Sequence, residues 1–346
     1  MDPFWSDIFR IGLSCVVAWA IALYLAPGII AAAERYGIVD SPDHPLKQQE
    51  KPVAYLGGLV IFIGFVLGLA VTTEFDARVL GLLLASSLVV AVGLIDDLGT
   101  LIPRDKLLGQ ILAALILVKS GLQLNLAGVP YPINETATIL WLVTCMNAFN
   151  IVDVSDGLAT TAGIIGALSV GVLATLSGDH QAATVAFCLL GGCLGFLKYN
   201  KAPARMYLGD TGSMMLGTIL GGLFVAGQYS QANQMAAFIA PLSLLAIPLF
   251  DLALVIIARL ATGKTIYHGS TDHFAVRLRG AGWTPNQIAL AAGVAGAIFA
   301  AGGITLSLAT PQSALWLCLG ILSFGFLLLF IMLLKFPAPS AQKEQS

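Results

Sequence analysis

Asn147-Ala-Phe-Asn150-Ile-Val-Asp153-Val-Ser-Asp156-Gly157 lies between two apolar runs, 137–145 before it and 158–176 after it. Two amides and two carboxylates fall within eleven residues of a chain that is only 10% charged. Groups of this kind are expensive in so apolar a setting and are kept where they hold something polar. Asn150, Asp153 and Asp156 are spaced three apart, which puts them along one side if the region is helical. Such a trio at the mouth of a helix bundle suits a divalent cation or a polar ligand. The plainer reading is a polar loop between two spans.

The flanking runs decide the fold, because runs like them recur along the chain. It has 346 residues, 58% of them hydrophobic, and a mean hydropathy of +0.88. A water-soluble domain of this length has too little interior for so much apolar surface. Roughly 20 apolar residues cross a bilayer as a helix, so an all-α polytopic membrane protein is expected. The first run, 8–30, is too long for the apolar stretch of a cleavable signal, and no cleavage site of the expected kind follows it. The five cysteines lie inside apolar runs without zinc-ligand spacing, and read as small apolar core residues.

About eleven transmembrane helices (10–11) are expected, near 8–32, 55–73, 79–95, 106–119, 137–150, 157–177, 181–197, 212–228, 236–259, 286–308 and 314–335. They form a single membrane domain over 1–346, with a short polar tail at 338–346. Eleven crossings place the segments 33–54, 96–105, 151–156, 198–211, 260–285 and the C-terminus on one side. Counting residues near the span ends, that side carries fourteen Lys and Arg residues against three on the other, Arg10, Arg78 and Lys119. The positive-inside rule then puts the richer side in the cytoplasm and the N-terminus outside. Tyr131 and Trp141 read as anchors at the outer interface.

The unusual polar clusters all fall on the expected cytoplasmic side. Asp40-Ser-Pro42-Asp43 leads through Lys47 to Gly57-Gly58, where the backbone can be approached closely. Lys47 is a candidate for a phosphate or nucleotide, or plain positive-inside charge. Asp96-Asp97 is followed by Lys106 and Gln110. Adjacent carboxylates repel, and neighbours on a helix face different ways, so the two are expected to do different jobs, in Mg²⁺ binding or proton transfer. Asn200, Pro203 and Leu208-Gly209-Asp210-Thr-Gly212-Ser213 form a basic loop running into a helix start. Asp210 reads as a Mg²⁺ ligand bridging to phosphates or as a helix cap. Asp251 sits within a span, facing the bundle interior. Beyond it, His273, Arg277 and Arg279 are candidates for binding a diphosphate, with His273 open to a purely structural role. Acidic pairs and basic loops at one membrane face point to Mg²⁺-assisted phosphoryl transfer. A transporter would gather its polar groups near the midplane, and a scaffold would need no acidic clusters. A transporter or flippase of a lipid-linked or anionic substrate is the alternative.

These motifs, in this order from residue 40 to about 280, resemble those of the polyprenyl-phosphate N-acetylhexosamine-1-phosphate transferases, which include the bacterial WecA, TagO and MraY enzymes. The resemblance implies an MraY-like helix bundle with its active site at the cytoplasmic face of the inner membrane. It implies transfer of a sugar-1-phosphate from a UDP-sugar to undecaprenyl or another polyprenyl phosphate, releasing UMP, in cell-envelope glycan synthesis. Mg²⁺, or Mn²⁺ in its place, would be the cofactor; no nucleic acid is involved, and a homodimer is compatible. By the same resemblance Asp210 and Asp153 are metal residues, and Asp96, Asp97, Asp156 and His273 catalytic ones. Lys47, Lys106, Asn150, Asp153, Asn200, Asp251 and Arg277 fall to substrate binding. The chain departs from the usual pattern at Val154, where a glycine is common, and at Gln49, where a histidine is frequent. It also has Asp272-His273, with His268 upstream, in place of a histidine cluster. That loop is closer to the WecA-like branch than to MraY and points to a simple N-acetylhexosamine, GlcNAc.

Overall fold

The computed structural model describes residues 3–40, 52–99, 101–124, 128–227, 234–263 and 271–338. Along them run α1 (Pro3–Tyr36), the strands β1 (Val39–Asp40) and β2 (Val53–Ala54), α2 (Gly57–Thr72), α3 (Ala77–Asp97), α4 (Pro103–Lys119), α5 (Tyr131–Val152), α6 (Leu158–Leu176) and α7 (His180–Asn200). The rest comprises α8 (Gly209–Ala226), α9 (Gln234–Leu244), α10 (Ala246–Ala261), α11 (Phe274–Gly280), α12 (Pro285–Ser307) and α13 (Pro311–Lys335). Helix starts follow the local sequence. Asp76 accepts from the Val79 N–H, Asp179 from the Ala182 N–H, and Thr284 forms a capping box with Gln287 ahead of Pro285.

The chain is an all-helical polytopic membrane protein. Among the described residues seven helices, α1, α3, α5, α6, α7, α12 and α13, are long and apolar enough to cross a bilayer. The expected spans 55–73, 106–119 and 212–228 are the helices α2, α4 and α8, which fall short of those seven in length or apolarity. The expected single span 236–259 is two helices instead, parted at Leu245 (φ −110, ψ 27). Pro248 has no N–H for the Leu244 carbonyl and its ring crowds that oxygen, so the ladder breaks there. The loop 260–285 contains the short helix α11. Trp141, expected as an interfacial anchor, is half-buried against α8. Its ring lies 4.9 Å from that of Phe224, and its N–H donates to the Gly221 carbonyl at 3.2 Å, so it packs inward on α8. Tyr131 is 56% exposed.

The hub is α8, whose residues from Thr211 to Val225 are all buried among α2, α3, α5 and α6. Lipid is as apolar as leucine, so helices join in a bilayer through close packing of small residues. At Gly58 an added Cβ would overlap the backbone of Thr211 and Gly212. The Gly57 and Gly58 N–H groups donate to the Tyr207 and Leu208 carbonyls, both at 3.0 Å. Tyr207 in turn donates to Ala54 at 2.8 Å. The rim of the bundle at this end, β2 to α2 and the approach to α8, is thereby one bonded unit. The five cysteines are free thiols, four of them buried, as the apolar reading expected.

Gly58→Ala is expected to lower the thermal midpoint in detergent, by an overpacking cost of about 1–3 kcal/mol. Gly28→Ala, where nothing lies within 4 Å, should leave it unchanged or raise it, since alanine favours helix by about 1 kcal/mol. Equal responses would show that α8 is not packed this tightly on α2.

Candidate active site

The two carboxylates that end α3 take different partners, as adjacent helical residues must. Asp97 accepts from the Asp210 N–H at 2.8 Å, the Thr211 N–H at 3.2 Å and the Thr211 hydroxyl at 2.6 Å. These amides open α8 and have no partner within their own helix, so Asp97 is its cap. Gly209 (φ +72) makes the turn, and a Cβ there would lie 2.7 Å from the Asp97 carboxylate. Asp210, open in sequence between cap and metal ligand, is therefore not the cap. Its side chain points to other groups.

Asn150, in the last turn of α5, donates to Asp210 Oδ1 and to Ser213 Oγ, the latter at 3.2 Å. Lys106 Nζ contacts Asp210 Oδ2, lies 2.8 Å from Asp96 Oδ2 and donates to Asn150 Oδ1 at 3.3 Å. One ammonium group thus bridges Asp96 and Asp210. Behind it Asn147 donates to Gln110 at 2.8 Å, and Gln110 donates to Met214 Sδ at 3.3 Å, fixing α4, α5 and α8 to each other.

The trio Asn150, Asp153 and Asp156 does not share one helical face. Helix α5 stops at Val152, so the two aspartates belong to the loop before Gly157 (φ +72) and α6. Asp153 accepts from the Gly209 N–H, and Asp156 from the Ala204 N–H at 3.0 Å. Convergence survives by another route: the loop folds onto the head of α8. Burial, then the charges of Asp210 and Asp97, push the Asp153 carboxyl up to about 8.

The carboxylates among these groups line a cavity of about 1490 Å³ at one end of the bundle. Asp96, Asp97, Asp153, Asp156 and Asp210 lie on its wall with Tyr55, Tyr207, Arg205 and Arg279. Tyr55 and Tyr207, whose ring centres are 6.2 Å apart, were not among the expected site residues. Their only sequence signal is a place beside the two glycine motifs.

Other expected residues sit elsewhere. Lys47 lies outside the described residues. Asn200 reaches the cavity wall but is 2% exposed. Its amide is bonded to Thr160 Oγ1 at 2.7 Å and the Met206 carbonyl at 3.0 Å. Asp251, His273 and Arg277 do not line the cavity. Asp251, fully buried, lies 2.8 Å from His273 Nδ1 and accepts from the Phe274 N–H at 2.9 Å. Arg277 donates to the Asp272 carbonyl at 2.8 Å, the Asp272 carboxylate at 3.2 Å and the Phe336 carbonyl at 2.9 Å.

Among the described residues no three His, Cys, Asp or Glu side chains form a ready-made metal cage. The acidic groups around Asp210 and Asp153 are all oxygen donors, the set that suits a hard cation. Mg²⁺ takes one or two carboxylates and fills its other positions with water and substrate phosphates, so these residues fit it. Asp97→Asn should lower the thermal midpoint, because an amide places a donor against donors and leaves buried N–H groups unpaired, at about 1–3 kcal/mol. Asp96→Asn should leave the midpoint nearly unchanged while reducing turnover. A stable Asp97→Asn protein would remove its capping role.

The model of glycosyl transferase family 4 matches residues 79–228, which hold Asp96, Lys106, Asn150, Asp153 and Asp210. A probable undecaprenyl-phosphate N-acetylglucosaminyl 1-phosphate transferase of Bacillus subtilis is 30% identical, over 94% of this chain and 91% of its own length. A decaprenyl-phosphate N-acetylglucosaminephosphotransferase of Mycobacterium tuberculosis is 31% identical, over 78% of this chain and 76% of the relative. A phospho-N-acetylmuramoyl-pentapeptide-transferase of Moorella thermoacetica is 29% identical, over 80% and 92%. With the first of these relatives matched almost end to end, the chain belongs to glycosyl transferase family 4.

Proposed function

We propose that the chain transfers GlcNAc-1-phosphate from UDP-GlcNAc to a polyprenyl phosphate, releasing UMP. One observation carries the reading: Lys106 and Asn150 converge on Asp210 and Asp96 beside a large polar cavity at one end of a membrane bundle. A lipid headgroup and a water-soluble nucleotide meet only at such an end. The two similar transferases named for GlcNAc phosphate support the sugar. A transporter would need its polar groups near the midplane.

An oxygen of the lipid phosphate attacks the β-phosphorus of UDP-GlcNAc, the bond from that phosphorus to the α-phosphate oxygen breaks, and UMP leaves. Such chemistry is mostly positioning and charge neutralisation. A phosphate monoester has a second pKa of roughly 6, so the acceptor is largely a competent nucleophile at neutral pH and needs no covalent relay through the enzyme. Asp96 takes the remaining proton. Lys106 offsets charge between Asp96 and Asp210, and Asn150 orients Asp210. Family members are generally Mg²⁺-dependent. Asp210 and Asp153 would hold the ion, which when bound neutralises the donor diphosphate. Mn²⁺ is the substitute to try.

Among the described residues, counting α9 and α10 as one crossing and the shorter α2, α4 and α8 as crossings gives eleven. The fourteen-to-three basic asymmetry then supports a cavity that faces the cytoplasm. A reporter fused after Ser346 should behave as cytoplasmic and one inserted near Asn134 should not; the reverse would invert the site.

Purified protein supplied with polyprenyl phosphate and Mg²⁺ should release UMP from UDP-GlcNAc faster than from other UDP-sugars. Asp210→Asn should abolish release while the protein stays folded, because an amide does not neutralise a cation. Near-normal release by a folded Asp210→Asn protein would sink the metal assignment.

A further inference from the structure

Helix α11 is held by its buried side. Asp251 receives the His273 ring and the Phe274 N–H at its start. Arg277 ties it to Asp272 and to the Phe336 carbonyl at the end of α13. Residues two apart on a helix point about 200° away from each other. With Arg277 locked on that side, Arg279 faces the opposite way. Its Nη2 donates to Ser155 Oγ at 3.0 Å, in the loop that carries Asp153 and Asp156, and it lines the cavity.

The charge balance of that cavity gives Arg279 its importance. Among the described residues its lining holds seven carboxylates and two guanidinium groups, Arg205 and Arg279. A nucleoside diphosphate cannot enter such a wall without cations to meet it. Arg205 is exposed, with its guanidinium carbon 5.9 Å from the centre of the Tyr199 ring. Arg279 is half-buried on a helix fixed at both ends, so little ordering cost attends its contacts. Arginine also presents a rigid fork of donors that matches phosphate oxygens.

We propose that Arg279 is a contact to the nucleotide phosphate of the UDP-sugar, and that the buried Asp251–His273 pair is a positioning device that holds the helix bearing it. The proposal rests on the reading of the cavity as the UDP-sugar site. It makes His273 act through Arg279 and not on the substrate.

The test uses the full-length protein in detergent, with KM and kcat for UDP-GlcNAc and inhibition by UMP and by uridine. Arg279→Gln should raise KM and weaken UMP inhibition about tenfold or more, as loss of a charge-assisted hydrogen bond does. Inhibition by uridine, which lacks the phosphate, should stay within about twofold, and Arg279→Lys should recover part of the loss. His273→Gln should shift the same UMP-to-uridine ratio, and should add nothing to that shift in the Arg279→Gln background, as coupled residues behave. A merely structural role would weaken UMP and uridine alike. The proposal is overturned by unchanged UMP inhibition in Arg279→Gln, by equal loss for UMP and uridine, or by additive effects of the two substitutions. Failure of the proposed function reads differently, since wild-type protein would then release no UMP from UDP-GlcNAc.

Discussion

The site depends on one carboxylate at the head of one helix. Helix α8 is buried from Thr211 to Val225, and its first amides have no partner within their own helix. Asp97 reaches across from the end of α3 and takes two of those N–H groups and a hydroxyl. The positive end of the helix dipole in turn favours the charge on Asp97. With the cap supplied from outside, the Asp210 side chain is turned toward Lys106 and Asn150. The acidic pair that looks like repulsion in sequence is a division of partners: Asp97 caps the helix start, and Asp96 pairs with Lys106.

The same geometry explains the electrostatics. Asp96, Asp97, Asp153 and Asp210 crowd one wall of the cavity, with a single lysine bridging two of them. Burial and the neighbouring charges of Asp210 and Asp97 push the Asp153 carboxyl up to about 8.

The apolar runs made the fold legible, because period and length alone separate bilayer-crossing helices from loops. The broken span at Leu245 was not read, although Pro248 carried the signal. The inward bond of Trp141 was not legible, because Gly221, which supplies the carbonyl its ring N–H meets, is 80 residues away in sequence. The site was legible as a set of residues and less so as a set of roles. Asp210 stood open between cap and ligand until the bond from its N–H to Asp97, spanning 113 residues, gave the capping to Asp97. Asn200, Asp251, His273 and Arg277 have the composition of ligands, yet their hydrogen bonds go to Thr160, Met206, Phe274, Asp272 and Phe336. Nothing local distinguishes Arg277 from Arg279; only the packing of α11 shows which one meets the cavity.

The central claim is that a phosphosugar, and not a sugar alone, moves to the lipid. UDP-GlcNAc labelled with ³²P at the β-phosphate tests it directly, with the purified protein, polyprenyl phosphate and Mg²⁺. The expected result is label passing into the solvent-extracted lipid while the nucleotide released is unlabelled UMP. Label retained in a released nucleotide diphosphate, with the sugar alone on the lipid, would contradict it.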